Sequence, residues 1–261
     1  MPTDSAPTNN TVSSSPGPTF PPQPEGATAV LVLADGTVLW GRGAGAEVTR
    51  VGEVCFNTAM TGYQEIMTDP SYAGQMVTFT FPHIGNVGAN LEDLETTTPS
   101  ACGCILRADI TEPSNFRAVS HLDGWLKAQG LPALTGVDTR QLSRRIRNAG
   151  APNAVLSHRA DGQFDLHALW EQARDWPGLE GMDLAKDVSC TQAYDWSQSD
   201  WSLKDGYGTL KDPKYKVVAI DFGIKRNILR RLATLGCEIT VLPATATADE
   251  VLAHKPDGIF L

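Results

Sequence analysis

The sequence predicts an α/β protein built from two parts that differ in their pattern of secondary structure. In residues 27–150, short apolar runs typical of strands come first and amphipathic segments typical of helices follow, which indicates an α+β domain with mixed strands. In residues 215–261, strands and helices alternate as β-α-β-α-β with short connections, which predicts the start of a parallel, doubly wound sheet. Hydrophobic residues make up 41% of the 261-residue chain, which supports a buried core.

The first 25 residues differ in composition from everything that follows. They are rich in Pro, Ser and Thr and poor in large apolar side chains, so they cannot offset the conformational entropy lost on ordering. Residues 1–25 are therefore predicted to form a disordered tail. The segment has neither the basic start and apolar stretch of a secretory signal nor the arginines of a transit peptide, because the first basic residue is Arg42.

Strands are predicted early in the first domain. The apolar runs 29–33 and 37–40 are joined through Asp35-Gly36, a dipeptide typical of tight hairpin turns. Turn-forming residues such as Gly and Pro separate the later apolar runs. These later strands are expected at 51–56, 76–81 and 103–107.

Helices are predicted after the strands. Apolar residues at helical spacing begin at Leu122 and stop at Gly130, a residue type favoured just past a helix end. A second helix follows the capping residue Asp138 and carries basic residues toward its end. A weaker helical pattern around Trp170 belongs to residues 151–214, which are interpreted as a helical extension and a polar linker lying over the surface.

The last part of the chain alternates regularly between strand and helix. Its strands are expected at 216–220, 238–242 and 259–261, and the second of the two intervening helices starts with the capping box Thr247–Glu250. A parallel sheet is normally covered by helices on both faces, and three strands with two helices are too few for that. The domain is therefore expected to be incomplete within this sequence.

Charge and composition argue against several classes of function. The formal net charge is −9, which disfavours nucleic acid as a partner because phosphate contacts need a clustered basic surface. The densest basic stretch, Arg140–Arg147, is interpreted as a solvated helix face. No apolar run is long enough to span a membrane. The five cysteines fit neither a disulfide framework nor a zinc site, so reduced cysteines in a cytoplasmic, metal-free protein are expected.

The residues themselves reveal no complete catalytic site. No cysteine or serine lies on a recognisable strand-to-helix turn, and no glycine-rich phosphate-binding loop is present. Asp221, just past the carboxyl end of the first parallel strand, either contacts a ligand or caps the next helix, and capping or packing is the favoured interpretation. His83 is interpreted as a hydrogen-bonding loop residue rather than a catalyst.

Several motifs occur in an order that points to a family. They are Asn57–Glu65 followed by Thr68–Tyr72, then Phe81–Asn86, and Asp221–Leu229 followed by Pro256–Leu261, with Gly136–Arg140 and Gly178–Leu184 in support. Each motif alone is modest evidence. The ordered set resembles the small subunit of glutamine-dependent carbamoyl-phosphate synthase over nearly all of residues 27–261.

The resemblance implies a division of labour between two subunits. Residues 27–150 would be the domain peculiar to the small subunit, which docks on the large subunit, and residues 215–261 would begin a class I glutamine amidotransferase domain. That domain hydrolyses glutamine, and the ammonia passes through an internal tunnel to the large subunit. The large subunit uses ATP and a divalent metal to combine it with bicarbonate into carbamoyl phosphate, for pyrimidine and arginine biosynthesis. No cofactor is implied for the small subunit.

The same resemblance places the catalytic residues beyond this sequence. In the family a glycine-rich loop follows the strand that reaches Leu261, and the nucleophilic cysteine, the histidine and the glutamate come later. No catalytic residue is therefore assigned, and the chain alone is expected to be inactive. One glutamine-binding position is implied, the third residue of the Asn57 motif, which is Ala59 here and usually serine in the family. A backbone contact would survive this change and a hydroxyl contact would not, while a packing role is the alternative.

Two other functions stay open. A non-catalytic docking or regulatory module without glutaminase activity is supported by the same residues, because none of them hydrolyses anything. A free-standing nucleotide-binding α/β domain is a weaker alternative, since no phosphate-binding loop is present.

Overall fold

The computed structural model describes residues 17–261. Within these residues, seven strands close a barrel in the order β1-β2-β6-β5-β4-β3-β7. The strands are β1 (Ala29–Leu33), β2 (Val38–Gly45), β3 (Thr49–Asn57), β4 (Gln75–Phe79), β5 (Gly103–Ile105), β6 (Pro132–Thr135) and β7 (Asn153–His158). Neighbours from β3 through β4 and β5 to β6 are parallel, and the other pairs are antiparallel. Mixed strands were thus predicted correctly, whereas the sequence pattern did not reveal the closure into a barrel.

The barrel is filled by side chains that are shielded from solvent. Leu31, Met76, Ile105 and Leu156 are each 0% exposed and belong to one contiguous cluster. Burying a side chain of this size stabilises a fold by about 1.5–3 kcal/mol. All five residues of β1 are buried, because the barrel interior covers one face of this strand and a helix covers the other.

Helices pack around the barrel and begin at defined caps. They are α1 (Tyr63–Thr68), α2 (Leu122–Ala128), α3 (Thr139–Ala149) and α4 (Leu166–Asp175). The carboxylate of Asp138 caps α3 by accepting hydrogen bonds from the N–H groups of Arg140 and Gln141. Asp165 caps α4 through the N–H of Ala168. The three predicted helices are present, and the short α1 is an addition to them.

The domain boundary predicted at residue 150 is wrong, because the barrel continues beyond it. β7 pairs antiparallel with both β1 and β3 and so closes the barrel. α4 then packs against β1 and β7. Residues 151–175 therefore belong to the first domain rather than to an extension of it. Five of the six residues of β7 are buried, so this strand lacks the alternation of buried and exposed residues that marks a half-buried strand.

Part of the predicted tail has a defined path. The ring of Phe20 meets a histidine ring of α4 edge-on, with ring centroids 4.9 Å apart. The side-chain amide of Gln23 donates a hydrogen bond to the carbonyl oxygen of Gly162 at 2.9 Å. The prediction of disorder is therefore wrong for residues 17–25, where an aromatic contact and side-chain hydrogen bonds hold an otherwise polar segment. Residues 1–16 lie outside the described residues.

The segment predicted as a polar linker contains secondary structure. This segment, residues 190–214, follows α5 (Leu184–Val188) and contains β8 (Tyr194–Trp196), β9 (Gln198–Ser202) and β10 (Gly206–Thr209). β8 is an edge strand of a second sheet, and β9 and β10 form a hairpin. The linker prediction is therefore wrong here. Short strands of three to five residues, most of them only half-buried, leave little periodic signal in a sequence.

The second sheet contains the predicted β-α-β-α-β unit. Its parallel strands are β11 (Tyr215–Asp221), β12 (Cys237–Pro243) and β13 (Gly258–Phe260), connected by α6 (Arg226–Thr234) and α7 (Ala248–Ala253). The strand order is β13-β11-β12-β8, with β8 antiparallel to β12, and the β9–β10 hairpin lies against α6. None of the helices in residues 17–261 combines the length and the apolar character needed to cross a membrane.

Candidate functional site

The barrel and the second sheet meet at the carboxyl end of β11. Asp221, the last residue of that strand, is 6% exposed, and its carboxylate accepts three backbone hydrogen bonds. The N–H groups of Gly223 and Ile224 donate to one oxygen, at 2.9 and 2.8 Å, and the N–H of Cys190 donates to the other, at 2.7 Å. The carboxylate therefore fixes the turn into α6 and holds the segment after α5 against it. This is the packing role that the sequence favoured.

A glycine allows the barrel to approach this turn closely. Gly223 has a φ of 97°, a backbone conformation that residues with side chains rarely adopt. A Cβ atom at this position would lie 3.0 Å from Cβ of Pro70 in the barrel and 2.8 Å from a methyl group of Val188. Both separations are too short for an ordinary contact, so the fit between the turn and the barrel requires glycine here.

An ion pair joins the two domains beside the same turn. The ammonium group of Lys225 lies 2.7 Å from Oδ2 of Asp69, and Oδ1 of Asp69 accepts a hydrogen bond from the N–H of Ser71 at 2.9 Å. The hydrogen bond to Asp69 raises the pKa of Lys225 above its ordinary value, so this lysine is charged at neutral pH. We call residues 69–72, which form a single 3-10 turn with its cap, the 69–72 turn.

The first turn of α6 is capped by the barrel rather than by its own sequence. Lys225 precedes the helix and makes no side-chain capping bond. Instead, Oε2 of Glu95 accepts a hydrogen bond from the N–H of Asn227 at 2.9 Å, and the carbonyl oxygen of Glu95 accepts one from the N–H of Arg226 at 3.2 Å. A carboxylate at a helix N-terminus also interacts favourably with the helix dipole. The barrel loop around Glu95 therefore holds α6 in position.

A second set of contacts runs through the β9–β10 hairpin. The indole N–H of Trp201 and the hydroxyl of Tyr207 both donate hydrogen bonds to Glu92 of the barrel, at 3.1 and 2.9 Å. The guanidinium of Arg117 lies 4.7 Å from the centroid of the Trp201 ring, and that of Arg230 lies 3.9 Å from the Tyr207 ring. Cation–π contacts contribute about 0.5–2 kcal/mol each. The hairpin thus fixes α6 to the barrel at a second place.

A cleft of about 960 Å³ opens beside this junction. It is lined by residues 95–100 of the barrel and, on the other side, by residues 188–191 and 194–196 together with Asp221 and Arg226. Its volume lies in the range of small-molecule sites, about 300–1,000 Å³. It lies at the carboxyl end of a parallel strand, where open α/β sheets bind ligands. The geometry therefore marks the cleft and the adjoining 69–72 turn as the candidate site.

Two family models match the chain in the order of its two domains. The model of the carbamoyl-phosphate synthase small chain, CPSase domain, matches residues 31–156, and that of glutamine amidotransferase class-I matches residues 218–261. A carbamoyl phosphate synthase small chain from Bradyrhizobium diazoefficiens is 61% identical over 238 residues, which cover 90% of this chain. The chain belongs to the carbamoyl-phosphate synthase small-chain family.

Other small chains give the same result. The one from Ruegeria pomeroyi is 63% identical over 234 residues and the one from Brucella ovis is 62% identical over 238, again over 90% of this chain. The chain spans 60% of the length of the first two relatives and 58% of the third. Among solved structures, an aminopeptidase from Aneurinibacillus sp. strain AM-1 gives a TM-score of 0.30 at 8% identity, covering 88% of this chain and 55% of that chain. That likeness is too distant to carry an argument.

The glutamine contact expected at Ala59 stays a prediction for this member of the small-chain family. Ala59 is exposed, and its N–H donates to Oδ1 of Asn57 at 2.7 Å. The barrel residues that reach the end of β11 are instead Asp69 and Pro70. They belong to the Thr68–Tyr72 motif, whose position beside the sheet only the folded structure shows.

Four of the five cysteines, all of which lie within residues 17–261, have thiols with raised pKa values. Burial raises the pKa of three thiols to about 11 or 12, those of Cys55, Cys104 and Cys190. The pKa of Cys102 is also raised, and Cys237 is buried at the start of β12. A thiol with so high a pKa carries almost no thiolate at neutral pH. At neutral pH the thiols of Cys55, Cys102, Cys104 and Cys190 are therefore poor nucleophiles.

Glu65 on α1 has a carboxyl group that titrates near neutrality. Burial raises the pKa of Glu65 from its ordinary value of 4.5 to about 7. The negative charges of Asp93 and Glu95 also act to raise this pKa, and the positive charge of Arg117 acts to lower it.

His83 is exposed, and its ring makes an edge-to-face contact with that of Phe81, with centroids 5.8 Å apart. Its role as a hydrogen-bonding loop residue stays a prediction. Across residues 17–261, no group of three or more His, Cys, Asp or Glu side chains is arranged to hold a metal ion.

Proposed function

We propose that this chain forms the barrel and the first part of the amidotransferase domain of a glutamine-hydrolysing carbamoyl-phosphate synthase small chain. The whole protein would hydrolyse glutamine and deliver ammonia to a large chain, which makes carbamoyl phosphate from bicarbonate and ATP. One observation carries the proposal: the 69–72 turn of the barrel meets the carboxyl end of the first strand matched by the amidotransferase family. This is the edge of an α/β sheet at which ligands bind.

The described residues would position glutamine rather than react with it. Hydrolysis needs a thiolate that attacks the amide carbon, a base that accepts the thiol proton, and N–H donors that stabilise the oxyanion. The Lys225–Asp69 pair and the turn held by Asp221 keep the barrel and the end of β11 at a fixed spacing. A substrate held between two fixed surfaces loses little further entropy on reaction. The attack itself is assigned to no residue of this segment.

The chemistry of the product supports a large-chain partner. Ammonia released into water at neutral pH is protonated, and the ammonium ion has no free electron pair with which to attack. A small chain that delivers ammonia as a nucleophile therefore needs an enclosed route into a docked partner. We assign ATP and the divalent metal to that large chain, because the sequence has no phosphate-binding loop.

We place the protein in the cytoplasm, in pyrimidine and arginine biosynthesis, the two pathways that consume carbamoyl phosphate. All five cysteines are free thiols. Free thiols suit a reducing compartment. A cell grown without pyrimidines and arginine should require the gene, and supplying both nutrients should remove the requirement.

The test is glutamine-dependent carbamoyl phosphate synthesis by the full-length protein, as its gene encodes it, together with its large chain. Both glutamine and ammonium should support synthesis by the pair, whereas the large chain alone should use ammonium only. Failure of glutamine to support synthesis by a pair that is active with ammonium would overturn the proposal. The 261-residue chain by itself should release no glutamate from glutamine, and measurable release would contradict the positioning role.

The second candidate is a docking or regulatory module without glutaminase activity. The raised pKa values of Cys55, Cys102, Cys104 and Cys190 favour it, because these four thiols carry almost no thiolate at neutral pH. It predicts that the full-length protein binds the large chain and changes its ammonium-dependent rate, but releases no glutamate from glutamine. The same assay therefore separates the two functions.

A further inference from the structure

A groove lined by arginines lies on the barrel, in a position distinct from the cleft at the junction. Its volume is about 870 Å³. The basic residues that line it are Arg107, Arg140, Arg144 and Arg147. Three of them come from α3, and all four are exposed. We call this feature the arginine groove.

The charges of the arginine groove are largely uncompensated within residues 17–261. Arg107 lies 3.6 Å from Asp138, but that carboxylate is already engaged as the cap of α3. The other three arginines of the groove form no ion pair with a described residue. Arg145, on another face of the same helix, is paired with Asp35. The interpretation of this basic stretch as a solvated helix face therefore does not describe Arg145, which forms an ion pair. It also does not explain why the other arginines of the helix line a groove.

The arginines of the groove repel one another, which destabilises α3. Arg140 and Arg144 are four residues apart and Arg144 and Arg147 are three apart, so their side chains are neighbours on the helix surface. Like charges at this spacing destabilise a helix. The chain as a whole carries a net charge of −9, so a concentrated basic face is an exception on its surface. Such a face is suited to an acidic partner.

The chemistry of the groove is that of a protein interface. All its basic residues are arginines, whose planar guanidinium binds carboxylates through two parallel hydrogen bonds, as the compact ammonium of lysine does not. Phe56, 36% exposed, and Pro82 supply apolar surface beside them. Arginine and aromatic residues are enriched at the centres of interfaces, where lysine is depleted.

We propose that the arginine groove is a docking surface for an acidic segment of the large chain. The proposal rests on the proposed function for the identity of that partner. The groove is connected along the chain to the candidate site. Thr58 lines the groove, and the chain runs from there through α1 to Asp69 at the junction. α1 has six residues, which correspond to about 9 Å. A partner seated in the groove is therefore linked to the candidate site through one short helix.

The test compares two double variants of the full-length protein in binding to its large chain. Arg144→Gln with Arg147→Gln removes two charges from the groove. Gln141→Glu with Asn148→Asp makes the same change in net charge on the same helix, at exposed positions outside the groove. The groove variant should bind about tenfold or more weakly, because charge-assisted hydrogen bonds are lost. Its affinity should also depend less on salt than that of the wild type.

Each outcome decides a separate point. Equal affinities of the wild type and both variants would overturn the docking proposal, and so would equal weakening by both variants. If the groove variant binds the large chain normally but self-associates differently, a second copy of the chain occupies the groove. If it binds the large chain normally but binds phosphate differently, a small anion occupies the groove. Either result would also overturn the docking proposal. Thermal unfolding of each variant confirms that it is folded. Absence of large-chain binding by the wild type would overturn the proposed function as well, which distinguishes the two failures.

Discussion

The barrel and the second sheet arrange their strands in different ways. The seven strands of the barrel close on themselves, so each has two neighbours and no edge is left. The second sheet is held differently, because the barrel residues Glu95 and Asp69 contact the first turn of α6 and the residue before it. The comparison teaches that the barrel is held by its own core, whereas the sheet takes part of its order from contacts with the barrel.

The largest effect is expected from a change inside the barrel. Leu156 is 0% exposed, and Leu156→Ala should lower the free energy of unfolding by about 2–5 kcal/mol because it leaves a cavity. Leu252→Ala in α7, where leucine is 60% exposed, is the matched control and should change stability by less than about 0.5 kcal/mol. Urea unfolding followed by tryptophan fluorescence measures both. Similar losses in the two variants would break the comparison.

The next effect is expected where the barrel touches the sheet. Gly223→Ala should cost about 1–3 kcal/mol, because it combines backbone strain at positive φ with the close contacts to Pro70 and Val188. Gly181→Ala is the control, since Gly181 has a φ of 82° with no atom near its missing Cβ, and it adds strain alone. Hydrogen exchange of the β11 and β12 amides should be faster in Gly223→Ala only. Equal behaviour of the two variants would mean that the contact with the barrel is unimportant.

A smaller effect is expected from the partly buried carboxyl group of Glu65. Its pKa is about 7 in the folded protein and 4.5 ordinarily, so the folded state holds the proton more tightly. The associated stability is complete below pH 4.5 and is lost as the pH rises through 7. Glu65→Gln removes this titration and should raise the free energy of unfolding by about 1–2 kcal/mol at pH 8 relative to the wild type. Urea unfolding at pH 4 should show no such gain, and a gain that is the same at both pH values would rule out the titration.

The smallest effect is expected from the ion pair across the junction. Lys225 is 39% exposed, so solvent screens its attraction to Asp69, and a double-mutant cycle with Lys225→Met and Asp69→Asn should give a coupling energy of about 0.5–1 kcal/mol. The exposed pair Arg174–Asp175 within α4 is the control and should give a coupling near zero. A coupling energy for Lys225–Asp69 no larger than that of the control would show that this ion pair does not help to order the second sheet.

The two regions also differ in how much of them the sequence predicts. The β-α-β-α-β unit was predicted because each strand and helix has a local pattern, including the capping box at Thr247. The closure of the barrel was not, because β7 pairs with β1, and Ala29 and His158 are distant in the sequence. No local pattern reports such a pairing. At the junction, the sequence singled out Asp221 of the second sheet. It did not single out Asp69 and Glu95 as residues of the junction, because these barrel residues come close to the second sheet only in the folded protein.

The capping of α6 by Glu95 has a consequence for the order of events during synthesis. The barrel leaves the ribosome before α6 does, and N-terminal domains generally fold first. A folded barrel therefore presents its carboxylate as a ready template when residues 226 and 227 emerge, and the nascent helix finds a partner for its first N–H groups already in place. The earlier domain in this way acts as an assembly platform for the later one, and a defect in the loop around Glu95 would delay maturation of the second sheet without touching its own residues.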